Sequence, residues 1–272
     1  MINIEEARLS YFPRTGVCKA VLQAPFTEYS HAYVTSNEHL PYVMDELQPG
    51  GKSVLTVAGS GDQPIFFKLY GATDVDSFDI SYCAKALMDI KTAAIQSVPR
   101  AAYVNFLQKL FKYSDKMQDL YVYQESKNLC SDDVKNFIAG MAGCKICRQG
   151  YMYFDNVPSN DEYERLRPLL EKPFNFIWSD LYSLSAKLNR TYDIIYLSNI
   201  LQYNCDYDFV SEVLNGLLPY LNKDGKIMLH ISPWFDYKEY ELFCRLRDAM
   251  ERWVDIKRIK HKEFEMCVAR KL

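Results

Sequence analysis

A chain of 272 residues, 49% hydrophobic and 25% charged, has the apolar material for one large domain or for one domain carrying an insertion. A net charge of −3 advertises no basic face, so nucleic acid is not the expected partner, and no apolar run reaches the ~20 residues of a membrane span. Met1-Ile2-Asn3-Ile4-Glu5-Glu6 has neither the basic nor the apolar stretch of a secretory leader, and eight dispersed cysteines read as reduced thiols, so a cytoplasmic protein is expected.

Residues 1–50 read as an N-terminal segment of helix and loop acting as a lid, with a short helix over Leu40–Leu47 and a turn at Pro49-Gly50-Gly51. An apolar strand, Ser53–Ala58, then breaks into Gly59-Ser60-Gly61, and a helix over Pro64–Tyr70 stops at Gly71. A second strand, Asp74–Asp79, ends in an acid. From Ser81 to Ser97, Ala84, Leu87, Met88, Ile90, Ala94 and Ile95 recur near helical spacing, and Pro99 ends the helix. Residues 51–99 therefore form the first half of an α/β domain.

Residues 100–170 interrupt the alternation. They are helical and aromatic, contain no segment resembling a parallel strand, and read as an insertion capping the site and setting specificity. From 171 to 272 the alternation resumes with strands over Phe174–Trp178 and Tyr192–Leu197, the latter unbroken in its apolar character as in a strand buried on both faces. A helix over Asp208–Leu221, a turn at Asn222-Lys223-Asp224-Gly225, a strand over Lys226–Ile231 and a helix over Tyr237–Arg252 follow. Val254–Lys260 and Glu263–Ala269 close the chain as an antiparallel hairpin at a sheet edge.

The chemistry concentrates at the first strand. Glycines after it let backbone approach a ligand, the next helix offers free N–H groups, and Asp79 stands where an acid accepts ribose hydroxyls. A dinucleotide fingerprint needs glycine at 64, where this chain has Pro64, which removes an N–H and suits pyrophosphate poorly. A nucleoside without pyrophosphate fits better, and S-adenosyl-L-methionine is the expected cofactor.

The strand-glycine-turn pattern and terminal hairpin resemble the class I S-adenosylmethionine-dependent methyltransferase fold over residues ~51–98 and ~172–272. The resemblance implies an α/β, Rossmann-like sheet with a helical insertion and a C-terminal antiparallel hairpin. By position it places Ala58, Gly59, Ser60 and Gly61 beneath the methionyl and ribose moieties and Asp79 on the ribose, with Ile80 and Ser81 on the adenine side. Ser179-Asp180-Leu181 would meet the adenine, and Ser198-Asn199 would face the sulfonium and the acceptor. Asp62-Gln63 opens a helix, so Asp62 suits either backbone N–H groups or a ligand ammonium. Asp180 suits either the adenine or a helix cap.

Three segments carry a narrower resemblance: Val54–Gln63, Val75–Ser81 and Ala86–Ile95. They are similar to the S-adenosylmethionine:diacylglycerol 3-amino-3-carboxypropyltransferases of betaine-lipid synthesis. That likeness implies transfer of an aminocarboxypropyl group, whereas the wider one implies methyl transfer to a small-molecule or lipid acceptor. A catalytically silent binder of the same nucleoside is the third alternative. Asn199, Tyr203 and Tyr33 are the candidates for positioning the acceptor, each with a plain structural role as its alternative. Cys144-x-x-Cys147 has no second ligand pair at metal spacing, and His31, His39, His230 and His261 are dispersed, so neither a metal site nor a nucleophilic triad is expected.

Overall fold

Each strand of the main sheet forms where a short apolar run is bounded by turn residues. The computed structural model describes residues 29, 32–148, 154–203, 207–231, 254–261 and 264–271. Strand β1 (Ala32–Tyr33) and helix α1 (Leu40–Leu47) come first. Leu40, Val43, Met44 and Leu47 bury one face of α1 at helical spacing, and the His39 side chain caps it by accepting the Tyr42 N–H. Strand β2 (Ser53–Val57), helix α2 (Asp62–Leu69), strand β3 (Asp74–Asp79) and helix α3 (Tyr82–Ser97) follow. The Ser81 hydroxyl caps α3 by accepting the Cys83 N–H.

Between α3 and strand β5 (Asn175–Trp178) lie helices α4 (Arg100–Tyr113), α5 (Tyr121–Ser126) and α6 (Asp132–Gly140), strand β4 (Cys147–Arg148) and helix α7 (Asn160–Leu169). Strand β6 (Tyr192–Tyr196), helix α8 (Tyr207–Leu217) and strands β7 (Leu221–Ile231), β8 (Val254–His261) and β9 (Phe264–Lys271) complete the described chain. The main sheet runs β5-β3-β2-β6-β7-β9-β8. All its pairings are parallel except those of β9, which is antiparallel to both β7 and β8.

This order has a consequence for function. The chain leaves β2 toward β3 and β5, then returns to the other side of β2 for β6 and β7. The order therefore reverses between β2 and β6, and it is at the carboxyl ends of the strands beside such a point that open α/β sheets have their ligand crevice. Successive residues of one strand point to opposite faces. Leu55 and Val57 accordingly join Ile195, Leu197 and α8 in one core, while Val54, Ile194 and Tyr196 join α1 to α3 in the larger one.

Several sequence expectations change here. Residues 100–170 do contain a parallel strand: β4 pairs Cys147 with Ala32 and Arg148 with Tyr33. Two residues are too few to carry a periodic signal. The inserted helices share the larger core, with Tyr103, Phe106, Leu107, Leu110, Phe137 and Ile138 all buried in it. Its last helix, α7, belongs to the sheet's own helical layer. There Tyr163 Oη donates to the carbonyls of Ala94 and Val98 at the end of α3 and beyond it, and Gln96 Nε2 donates to Leu170 O at 2.9 Å. Strand β7 begins at Leu221 and absorbs the turn expected at 222–225, with a register shift opposite Tyr192 and Ile194. The helix expected over Tyr237–Arg252 and residues 1–28 of the N-terminal segment lie outside the described residues.

Candidate functional site at the switch of strand order

The loop leaving β2 is held in a shape that only glycine adopts cheaply. Gly59 and Gly61 have φ of 52° and 82°. A Cβ on Gly61 would lie 2.7 Å from Met88 Cα, so α3 packs directly against this turn. The Gly61 N–H donates to Ala58 O at 2.6 Å, closing the bend. The Gly59 N–H donates to Asp79 Oδ2 at 2.9 Å, and the Ser81 N–H donates to Asp79 Oδ1 at 2.9 Å. Burial pushes the Asp79 carboxyl up to about 6, against the backbone N–H groups of Ser81, Gly59 and Ile80, which act to lower it.

The β5 end completes this side. Ser179 N–H donates to Asp79 O, and Trp178 Nε1 donates to Ile80 O at 2.8 Å. The Ser179 hydroxyl is buried with no partner among the described residues, a polar atom that a ligand group would satisfy. Asp180 is exposed and turned to its own chain, accepting from the N–H and hydroxyl of Ser183 in the turn at 181–183; the short helix Ser185–Lys187 beyond it has no side-chain cap. Leu181 is half-buried against the core that contains α8.

Asp62 is spoken for within the protein. Its Oδ1 meets Lys91 Nζ at 2.5 Å in an ion pair whose side chains are 4% and 0% exposed. Its Oδ2 accepts from the Ser36 N–H at 2.8 Å and the Ser60 hydroxyl at 3.0 Å. The α2 N-terminus has no side-chain cap, so the backbone N–H that Asp62 accepts is that of Ser36 and not one of its own helix. Gln63 Nε2 donates to Ser36 Oγ at 3.3 Å, and its amide lies against Gly59. Lys91 thus ties the segment Ala86–Ile95 to the glycine turn.

Across the crevice, Ser198 follows β6 with φ of 54°, a strained value for a residue with a side chain. Its carbonyl accepts the His230 N–H at 2.8 Å, which joins the ends of β6 and β7. Its hydroxyl and that of Tyr196 both donate to Glu38, whose Oε1 lies 3.5 Å from His230 Nδ1. Asn156 clamps the backbone around Glu38, donating to the carbonyls of Ser36 and Glu38 and accepting from the Leu40 N–H. Asn199 is buried beside Ser198, with the Ser198 hydroxyl 3.4 Å from its Oδ1.

The structure therefore gathers Ala58–Gln63, Asp79–Ser81 and Ser198-Asn199 at the ends of neighbouring strands. It does not bring Asp180 inward. Tyr33 is half-buried in the small sheet with β4, and Tyr203 closes the turn Ile200–Tyr203 with its side chain outside the described residues. Sequence reasoning missed Glu38, Lys91 and His230. Lys91 was legible as a charge on the otherwise apolar face of α3; Glu38 and His230 carried no local signal.

Strand order, glycine turn and closing acid agree. The fold is that of the class I methyltransferases. No family model matches the chain and no curated protein matches it. Among solved structures, the chain is similar to the N-methyltransferase NodS from Bradyrhizobium japonicum, at 9% identity over 86% of this chain and 85% of that one, with a TM-score of 0.44. It is also similar to a ribosomal protein L11 methylase from Lactobacillus delbrueckii subsp. bulgaricus, at 13% identity over 86% and 78% of the two chains, TM-score 0.43. A magnesium protoporphyrin IX methyltransferase from Synechocystis matches at 12% identity over 100% and 99%, TM-score 0.43. Likenesses this distant say nothing of substrate; the fold stands on the strand order.

Among the described residues no group of three His, Cys, Asp or Glu is placed to hold a metal, and no helix is long and apolar enough to cross a membrane. Cys144 and Cys147 are buried free thiols, and burial pushes Cys147 up to about 12.

Proposed function

We propose that this protein binds S-adenosyl-L-methionine and transfers its methyl group to a small-molecule or lipid acceptor. The supporting observation is the Asp79 carboxylate, 2.9 Å from the Gly59 N–H at the crevice where strand order reverses. The residues fit the nucleoside. Asp79 keeps acceptor capacity for two sugar hydroxyls, the φ of Gly59 and Gly61 bares backbone to the ligand, Ile80 flanks the base, and the unpartnered Ser179 hydroxyl lies at its edge. Bound there, the cofactor supplies an electrophilic carbon on a sulfonium. The chain's own contribution is positioning: Ser198 and Asn199 hold the acceptor side, the buried loop Thr35–Glu38 excludes water, and alignment of donor with acceptor supplies much of the acceleration. The small-molecule or lipid class rests on the net charge of −3, and a cytoplasmic setting on the free thiols.

The second reading, aminocarboxypropyl transfer, rests on the three segments that resemble the betaine-lipid enzymes, two of which the Asp62–Lys91 pair joins. Calorimetric titration with S-adenosylmethionine tests the site. Asp79→Ala removes two hydroxyl acceptors and is expected to weaken binding about 100-fold or more; unchanged affinity refutes the placement. Product analysis separates the reactions, since methyl transfer leaves S-adenosylhomocysteine and aminocarboxypropyl transfer leaves methylthioadenosine.

A further inference from the structure

Glu38 is the least expected side chain in the molecule. It is 0% exposed, and among the described residues no lysine or arginine pairs with it. Asp62, the other buried acid nearby, has its charge balanced by Lys91. Glu38 instead collects dipoles: the hydroxyls of Tyr196 and Ser198, with His230 Nδ1 at 3.5 Å. Burial lowers the pKa of His230, with the Glu38 charge opposing, so the imidazole is neutral in the middle of the pH range. Keeping a carboxylate ionised in such a place is costly, and a cation brought close to it would offset that cost.

Its place in the fold says where that cation arrives. Ser36, two residues earlier, bonds to Asp62 at the glycine turn, while Glu38 itself bonds to Ser198 after β6. β2 and β6 are neighbours, so Ser36–Glu38 spans the crevice from one wall to the other, and Asn156 fixes it there. Full burial rules out ready contact with a ligand but not the action of its field. At an effective dielectric of about 20, unit charges ~6 Å apart still alter binding by about tenfold or more.

Resting on the adenosylmethionine reading above, we infer that Glu38 is a buried counter-charge that makes this site select a cationic sulfur, the sulfonium of S-adenosylmethionine, over the neutral thioether of S-adenosylhomocysteine. It is a positioning residue acting through the field. Asp79 faces the sugar, which both ligands share, so its charge bears less on this choice. The neutral product then meets a weaker site than the donor did, which favours its release.

The test is calorimetric titration of the full chain with S-adenosylmethionine and S-adenosylhomocysteine, for wild type and Glu38→Gln. Wild type is expected to prefer the sulfonium by about tenfold or more. The variant is expected to lose that preference through weaker S-adenosylmethionine binding, with S-adenosylhomocysteine affinity changed less than about threefold. A preference retained in Glu38→Gln overturns the inference while leaving the cofactor assignment standing. Equal affinities in the wild type overturn it too, and that arm needs no variant to fold. If the wild type binds neither compound, the cofactor assignment falls and this inference with it.

Discussion

Removing Lys91 exposes how much of the site is held by one ion pair. Lys91→Met keeps most of the side-chain volume and deletes the ammonium, leaving Asp62 with its backbone and hydroxyl donors but no cation, at 4% exposure. Breaking a buried pair from one side costs about 3–5 kcal/mol, because the abandoned charge has no solvent. Against a typical total of about 5–15 kcal/mol, the variant remains folded but loses a large share of its margin. For a chain of this size that is a fall in Tm of roughly 6–20 °C. Urea titration of Lys91→Met, Asp62→Asn and the double variant forms a cycle. The double variant is expected to lose less than the sum of the singles by at least about 1–2 kcal/mol, since neither charge is then stranded. A Lys91→Met loss below ~1 kcal/mol, or additive singles, refutes the claim that Asp62 depends on this cation.

Three further outcomes are expected. Gly61→Ala places its Cβ 2.7 Å from Met88 Cα at φ 82°. It should destabilise by about 2–4 kcal/mol in urea titration and lower S-adenosylmethionine affinity, because the turn must shift. Gly51→Ala, at φ 72° with nothing within 4 Å of the added Cβ, should cost only about 1 kcal/mol in the same titration. Asp79 makes stability depend on pH. Its folded value of about 6 lies above its ordinary 3.8, so its contribution is complete below about pH 4 and is lost as pH rises through 6. The loss is at most about 3 kcal/mol and is smaller with solvent screening. Urea midpoints between pH 4 and 8 should show this fall in wild type and a flatter profile in Asp79→Asn.

The local pattern carried most of the fold. Leu40–Leu47 is helical with the limits that its apolar spacing gives, and Asp74–Asp79 is a strand with the limits that its turn residues give. The terminal hairpin forms as expected, because alternation and turns are written in neighbouring residues. The pairing of β1 with β4 was not legible, since two strands of two residues, 115 positions apart, are brought together by tertiary packing and not by any local pattern. The site divides in the same way. Glycine turn and closing acid are read from local grammar, whereas the uses of Asp62 and Asp180 depend on what stands opposite them.

What the sequence alone determined is everything that depends on spacing: the α/β alternation, the glycine bend with Asp79 beyond it, the hairpin at the edge. What the tertiary structure decided is where charge is left uncompensated. Asp62 finds Lys91 29 positions away and Glu38 finds Tyr196 and Ser198 about 160 away. The physical reason is that pairing energies depend on distance and burial, and neither quantity exists until the sheet has brought its strand ends together.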